Sequence, residues 1–246
     1  MARSMLTALY VPTLCLLLVA CSDSATPDTR ATATSMAKAE AATPETVAPA
    51  AAWPQSDRAV APLLLGNALP DVELRTLEGA PIALKDAVGG KPAALVFYRG
   101  GWCPYCNLQL SGLRLIRKDL DALGFQLIAI SPDTPAELKK TLDKEALDYR
   151  LLSDSSAAAM RAFGVGYEVD AETLKKLSGY GIDLEKASGE RHHVLPVPSV
   201  YLVDAKGILQ FSYVHPDYTV RLPEEVVLAA ARAIDELVDH DDAARR

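Results

Sequence analysis

Two cysteines three positions apart, at the junction between a buried strand and an amphipathic helix, constrain this chain more than any other feature. The motif is Cys103-Pro104-Tyr105-Cys106. It follows an apolar run at 93–98, bounded by turn residues, that predicts a buried strand. Apolar residues then recur every three or four positions and predict a helix that begins at the motif. The spacing therefore places both thiols on one face of the first helical turn.

A helix N-terminus stabilises a thiolate, because its unpaired N–H groups carry partial positive charge. Pro104 suits the first turn, where no N–H partner is missed. Cys106 continues the apolar stripe of Leu110 and Leu113 and is predicted to be the more buried thiol. This geometry predicts that Cys103 attacks and Cys106 resolves.

Two other interpretations of the motif are weaker. A structural disulfide that closes so short a loop stabilises little, because its entropic gain grows with loop length. A structural zinc site needs about four ligands, and the sequence contains no second motif of this kind. We therefore predict a redox pair that needs neither a metal nor a cofactor.

The N-terminus predicts export. An apolar stretch at 5–20 is too short and too interrupted for a membrane span, and its final residues, LVAC, end at Cys21. This resembles the lipobox of bacterial lipoproteins, which implies a signal peptide at 1–21 and a lipid anchor on Cys21. The alternative is an ordinary secretory signal. Ser22 after the cysteine favours the outer membrane over the inner one, on the periplasmic side of the cell envelope.

Four cysteines are present in the sequence. Cys15 would leave with the signal peptide and Cys21 would be lipidated, which leaves Cys103 and Cys106 as the remaining thiols. In an oxidising compartment they can bridge each other, another molecule or a metal.

The composition predicts the domain organisation. Residues 22–59 are rich in Ala, Thr and Pro and are expected to form a disordered tether, followed by a folded domain at 60–240 and a charged tail at 241–246. The net charge is −7 and no basic block stands out, so nucleic acid is not expected as a partner.

Strands alternate with helices along the domain. A polar insertion at 164–191, with a helix near 171–177, interrupts this order, and a hairpin at 200–214 and a closing helix at 224–238 follow it. This order predicts an α/β layered domain in which helices flank a central mixed sheet.

Three segments, 66–74, 90–98 and 200–207, resemble the alkyl hydroperoxide reductase C and thiol-specific antioxidant family, the peroxiredoxin-like branch of the thioredoxin fold. The resemblance implies a thioredoxin-like fold. In thioredoxin-fold proteins a cis-proline precedes the late strand and packs beside the cysteine motif. Pro198 stands at that place, with Pro196 as the competing candidate and a trans proline in an edge strand as the other interpretation.

The family's catalytic pattern matches only in part. Cys106 aligns with the peroxidatic cysteine, but Arg99 replaces the family's proline, Cys103 its threonine and Pro198 its distant arginine. Arg99 would then supply the positive charge. The resemblance is to a subgroup with a thioredoxin-style motif, and it leaves open which cysteine attacks.

Other residues near the motif allow two interpretations. Trp102 either shapes a partner-docking surface or simply packs, and Tyr105 tunes the redox potential of the loop. His192 and His193 are a solvated pair or metal ligands. Asp133 and Asp154 are expected to be turn and cap residues.

Three functions follow. The leading prediction is a thiol–disulfide oxidoreductase that acts on protein or small-molecule thiols and disulfides in the cell envelope, with a thioredoxin-like electron donor. The alternative is a thiol-dependent peroxidase that reduces hydroperoxides. The third is copper handling, in which His193 would join the two cysteines.

Overall fold

The computed structural model describes residues 52–244, with side chains described as far as residue 237. In this part of the chain the strands are β1 (Glu73–Arg75), β2 (Pro81–Ala83), β3 (Ala93–Phe97), β4 (Gln126–Ser131), β5 (Arg150–Ser153), β6 (Gly166–Glu168), β7 (Val194–Pro196), β8 (Ser199–Val203) and β9 (Leu209–Val214). The helices are α1 (Leu84–Val88), α2 (Pro104–Ala122), α3 (Pro135–Lys144), α4 (Ala158–Ala162), α5 (Ala171–Gly179), α6 (Leu184–Ser188) and α7 (Glu224–Ala244). A short 3₁₀ turn, Asp57–Ala59, precedes them.

Seven strands form one mixed sheet in the order β2-β1-β5-β4-β3-β8-β9. Strands β3, β4 and β5 are parallel, and β8 and β9 extend the sheet in the antiparallel sense. The predicted α/β domain with a mixed sheet is confirmed.

Strand β3 is buried on both faces, which explains its unbroken apolar sequence. Val96 and the adjoining Tyr98 pack into the core beneath α2, α3 and α7. Leu95 and Phe97 face the opposite core, which α1 and α4 cover. The two cores therefore lie on either side of the central strand, as in other layered α/β domains.

The register of the sheet decides what lies near the cysteine motif. Phe97, the last residue of β3, pairs with Ser199, the first residue of β8, because these strands are antiparallel. The start of α2 and the segment before β8 are therefore brought to the same edge of the sheet.

The insertion at 164–191 is more structured than the sequence predicted. Strand β6 pairs with β7 in a separate two-stranded sheet, and α5 and α6 follow β6. The helix near 171–177 is confirmed as α5, whereas β6 and α6 were not predicted. A small core of Val169, Leu177, Leu184 and Leu195 holds the insertion together, and Trp102 packs against it.

Two predicted boundaries need correction. The guanidinium of Arg161 lies 3.6 Å above the ring of Trp53, and the N–H of Glu168 donates to the carbonyl of Pro54. Residues 53–59 are thus part of the folded domain and not of a tether. At the other end α7 continues to Ala244, through most of the predicted tail.

The predicted signal peptide, Cys21 and the tether up to residue 51 lie outside the described residues. Within 52–244, no helix is both long enough and apolar enough to cross a bilayer.

Candidate active site

Both thiols of the motif are reduced and lie at the start of α2. Cys103 is the N-cap residue, with an extended backbone, and Pro104 occupies the first helical position as predicted. Cys106 lies on the buried face of α2 and is part of the same core as Leu110. Cys103 is only 1% exposed, so it is far less accessible than the sequence suggested.

The two thiols have opposite pKa shifts. The pKa of Cys103 falls to about 6, chiefly because the side chain of Cys106 donates a hydrogen bond to its sulfur. Burial opposes this shift, while the backbone N–H of Cys106 and the charges of Arg99 and Arg221 add to it. Burial, together with the bond to Cys103, raises the pKa of Cys106. At neutral pH Cys103 is therefore mostly a thiolate and Cys106 a thiol.

Arg221 is a site residue that sequence reasoning missed. Its Nη2 lies 3.3 Å from the sulfur of Cys106 and 4.0 Å from that of Cys103. It stands in the segment between β9 and α7, and its only sequence signal is a basic residue shortly before a predicted helix. The family alignment placed Pro198 where an arginine was expected. The alignment thus implied that the site lacks the positive charge of this arginine. The structure corrects that implication, because Arg221, in a different segment, brings a guanidinium to the two sulfurs.

Arg99 lies in the site, as the sequence predicted. It follows β3, is 4% exposed, and places its guanidinium 5.2 Å from the ring centre of Trp102 and 4.2 Å from that of Tyr218. The two rings hold the arginine between the motif and the segment that carries Arg221.

Aromatic side chains form the rim of the site. Trp102 is partly buried and packs against both the main core and the core of the insertion. The ring of Tyr105 meets that of Tyr218 edge-on, with 5.8 Å between centroids. Tyr218, like Arg221, was not predicted from the sequence.

A cavity of about 670 Å³ opens above Cys103. Trp102 and Tyr105 line it, and so do Lys176 of α5 and Tyr180, which directly follows α5. The insertion thus supplies the second wall of the candidate active site. Pockets of this size accept organic molecules.

Asp133 lies in the bend between β4 and α3 and does not cap that helix. Thr134 caps that helix by accepting the N–H of Glu137. The carboxylate of Asp133 is buried and accepts the N–H of Gly101, at 2.8 Å, and so holds the chain just before the motif. Burial raises the pKa of Asp133 to about 7, against the effect of this hydrogen bond.

Asp154 takes the capping role that the sequence predicted. Its carboxylate accepts the backbone N–H groups of Ala159 and Met160, which open α4. Burial raises its pKa to about 7 as well.

The two prolines proposed for the late strand are now distinguished. Pro198 is buried directly before β8, and its carbonyl accepts the N–H of His215. Pro196 pairs with Gly166 in the small sheet. Pro198 is therefore the proline at the sheet edge that carries the motif.

The histidines are not placed for metal binding. Nε2 of His193 lies 2.9 Å from Glu185, and Nε2 of His192 lies 2.8 Å from the carbonyl of Ser155. Among residues 52–237, no group of three or more His, Cys, Asp or Glu side chains is arranged to hold a metal ion. The copper hypothesis, which joined His193 to the two cysteines, therefore has no geometric support.

Comparison with known proteins assigns this chain to a family. A family model described as the AhpC/TSA family matches residues 65–212. The chain belongs to this family. It is similar to peroxiredoxin Bcp of Escherichia coli strain K12, with 33% identity over 104 residues that cover 42% of this chain and 66% of that protein, just under two thirds. It also resembles 1-Cys peroxiredoxin PER1 of Hordeum vulgare, with 26% identity over 177 residues, 72% of this chain and 73% of that protein.

Solved structures support the fold of this AhpC/TSA chain. The crystal structure of peroxidoxin BcpB from Mycobacterium tuberculosis matches with a TM-score of 0.54 and 21% identity, over 69% of this chain and 97% of that one. The crystal structure of Enterococcus faecalis AhpC matches with a TM-score of 0.57 and 17% identity, over 72% of this chain and 96% of that one. The predicted thioredoxin-like fold is confirmed.

Proposed function

We propose that this protein is a thiol-dependent peroxidase in which Cys103 attacks a hydroperoxide and Cys106 resolves the product. The observation that carries the proposal is the Cys103 thiolate at the floor of a cavity, with the guanidinium of Arg221 beside both sulfurs. The relatives named peroxiredoxins support this function over the disulfide exchange that the sequence favoured.

The first step transfers one oxygen atom. The Cys103 thiolate attacks the terminal oxygen of the hydroperoxide, the O–O bond breaks, and the sulfur becomes a sulfenic acid. The leaving alkoxide, or hydroxide from hydrogen peroxide, takes up a proton and departs as an alcohol or water. Arg221 stabilises the negative charge that develops on the leaving oxygen, as preorganised donors do in other active sites.

The second step closes the disulfide. The sulfur of Cys106 attacks the sulfenic sulfur of Cys103, an S–S bond forms, and the hydroxyl leaves as water with the proton of the Cys106 thiol. Cys103 is the N-cap of α2 and Cys106 lies in its first turn, where the two side chains are already hydrogen-bonded, so the helix need not unwind. An external dithiol then reduces the disulfide and completes the cycle.

Rapid mixing with hydrogen peroxide tests the proposal. We expect the wild type to react much faster than free cysteine, Cys103→Ser to lose this reaction, and Cys106→Ser to react once and stop at a sulfenic acid that dimedone traps. A wild-type rate equal to that of free cysteine would overturn the peroxidase proposal. Fast reaction in Cys103→Ser but not in Cys106→Ser would reverse the order of the two cysteines.

Thiol–disulfide exchange remains a second candidate, because a dithiol within one helical turn can reduce a disulfide as well as a peroxide. The burial of Cys103 disfavours a protein substrate. A disulfide on a folded partner would have to displace the rings of Tyr105 and Tyr218 at the rim to reach this sulfur. Rates with hydrogen peroxide and with a protein disulfide, measured on one preparation, decide between the two functions.

We further propose that the protein is exported and anchored through lipid on Cys21, and the support is the LVAC sequence that ends there. Labelling of bacteria with a palmitate analogue should mark the wild type and not Cys21→Ala. Release of the unmarked variant from the membrane fraction would agree with the anchor, and unchanged labelling would exclude it.

A further inference from the structure

The cavity above Cys103 is positively charged in a chain whose net charge is −7. Among residues 52–237, Arg99 and Lys176 line it and no aspartate or glutamate does. Within residues 52–237, neither Arg99 nor Arg221 lies within ion-pairing distance of a carboxylate. Such a concentration of positive charge around an open cavity attracts anions.

Hydrogen-bond donors in the site also lack partners. Nε of Arg99 and both Nε and Nη1 of Arg221 are buried without an acceptor among the described residues. The Cys103 thiolate compensates one of the two guanidinium charges, which leaves one positive charge buried and unbalanced. An uncompensated buried charge is costly, and an anionic ligand would relieve that cost.

The walls of the cavity are apolar and aromatic. Trp102 and Tyr105 face Leu177, Tyr180 and Ile182 of the insertion. Hydrogen peroxide would occupy only a small part of about 670 Å³ and would contact few of these side chains. Tyr180 is 71% exposed and its ring is thus available to cover the organic part of a larger substrate.

We propose that the cavity selects organic hydroperoxides that carry an anionic group, and that Lys176 and Tyr180 of the insertion determine this specificity. The proposal rests on the proposed peroxidase function. The peroxide end reaches Cys103, the organic body lies between Trp102 and Tyr180, and the anionic group pairs with Lys176. The charge of Arg99 adds to the attraction.

A matched pair of substrates tests the charge. Cumene hydroperoxide and its para-carboxylated analogue differ only in the carboxylate, and hydrogen peroxide serves as the small substrate. We expect the wild type to favour the carboxylated compound in kcat/KM, and Lys176→Met to lose about tenfold for that compound alone. Lys175→Met is the control, because Lys175 is an exposed neighbour on α5 that does not line the cavity.

Tyr180→Ala tests the apolar wall. It should lower kcat/KM for the two cumene hydroperoxides by a similar factor, and by more than it lowers the rate with hydrogen peroxide. Circular dichroism of each variant should match the wild type, since Lys176 and Tyr180 are exposed. An equal wild-type preference for the two aryl compounds, or an equal loss in Lys175→Met, would overturn the proposed specificity.

Reduction of the para-carboxylated hydroperoxide gives an alcohol that cannot react further. Binding of this alcohol, measured by calorimetry, distinguishes the anion-site proposal from the peroxidase proposal. Binding that depends on Lys176, in a protein that reduces none of the hydroperoxides, would leave the anion site standing and overturn the peroxidase function. Rapid reduction of hydrogen peroxide without any Lys176-dependent binding of the alcohol would overturn the anion site alone.

Discussion

The guanidinium of Arg221 lies 3.3 Å from the sulfur of Cys106, although the two residues are 115 positions apart in the chain. The contact joins the first turn of α2 to the segment that precedes α7. It places a fixed positive charge beside both thiols, and the peroxidase proposal depends on it.

Substitution of Arg221 by alanine should slow the reaction with hydrogen peroxide by on the order of tenfold to a thousandfold, because a preorganised donor to the developing charge is removed. The pKa of Cys103 should also rise, since this guanidinium lowers it. Rapid-mixing kinetics and the ultraviolet absorbance of the thiolate measure the two effects. Arg232→Ala, an exposed position on α7, should change neither quantity.

The alkylation rate of the motif should follow the pKa of Cys103. In a chain with Cys15 and Cys21 replaced by alanine, the rate with iodoacetamide should rise as pH passes about 6 and then level off, because the thiolate is the reactive form. Cys106→Ala removes the main hydrogen bond to the thiolate and should shift the profile to higher pH. Cys103→Ser should show no alkylation in this range, because the pKa of Cys106 is raised. If Cys103→Ser keeps the pH-dependent alkylation of the wild type, Cys106 is the reactive thiol.

Stability should depend on pH through Asp133. Its pKa of about 7 in the folded state exceeds the unfolded value of 3.8, so the folded protein binds the proton more tightly. The contribution of the group to stability is then fully present below 3.8 and is lost as pH rises through about 7. Asp133→Asn should therefore flatten the fall in the urea midpoint across this window. Asp170 is an exposed cap of α5, and the pKa of its carboxyl group is lowered. Asp170→Asn should therefore not flatten the fall in the urea midpoint.

Gly101 should not tolerate a side chain. A Cβ there would lie 1.8 Å from Oγ1 of Thr141, so Gly101→Ala should cost about 1–3 kcal/mol in the free energy of unfolding and displace the loop that carries Cys103. Gly179→Ala is the matched substitution, because its Cβ meets no atom within 4 Å. It should be neutral or should stabilise α5 by about 0.5–1 kcal/mol. Chemical denaturation measures both.

Substitutions on the buried and the exposed face of α2 should differ in their effect on stability. Leu110 is fully buried beneath the helix, so Leu110→Ala should cost about 2–5 kcal/mol. Leu108 is 75% exposed on the opposite face, and Leu108→Ala should change the free energy of unfolding by less than about 0.5 kcal/mol. Similar losses in the two variants would contradict this packing of α2.

Local patterns predicted most of the elements near the motif. Helix α2 begins at the motif, as the sequence predicted, because its apolar stripe and Pro104 are local signals. The cap of α3 is local as well, since Thr134 accepts the N–H of Glu137 three residues later. The insertion was less predictable, because β6 is three residues long and acquires its structure by pairing with β7. Short elements that depend on distant partners leave little periodicity in the sequence.

The sequence by itself determined the thiol pair, its position at a helix start and the deeper burial of Cys106, since spacing and periodicity act over a few residues. Only the tertiary structure decided the surroundings of the pair. Arg221 and Tyr218 reach the site because the sheet order brings the ends of β3, β8 and the chain before α7 together, and the insertion that carries α5 lines the cavity above Cys103. The chemistry of the sulfurs depends on charges and burial that arise from those distant segments, and no local pattern encodes them.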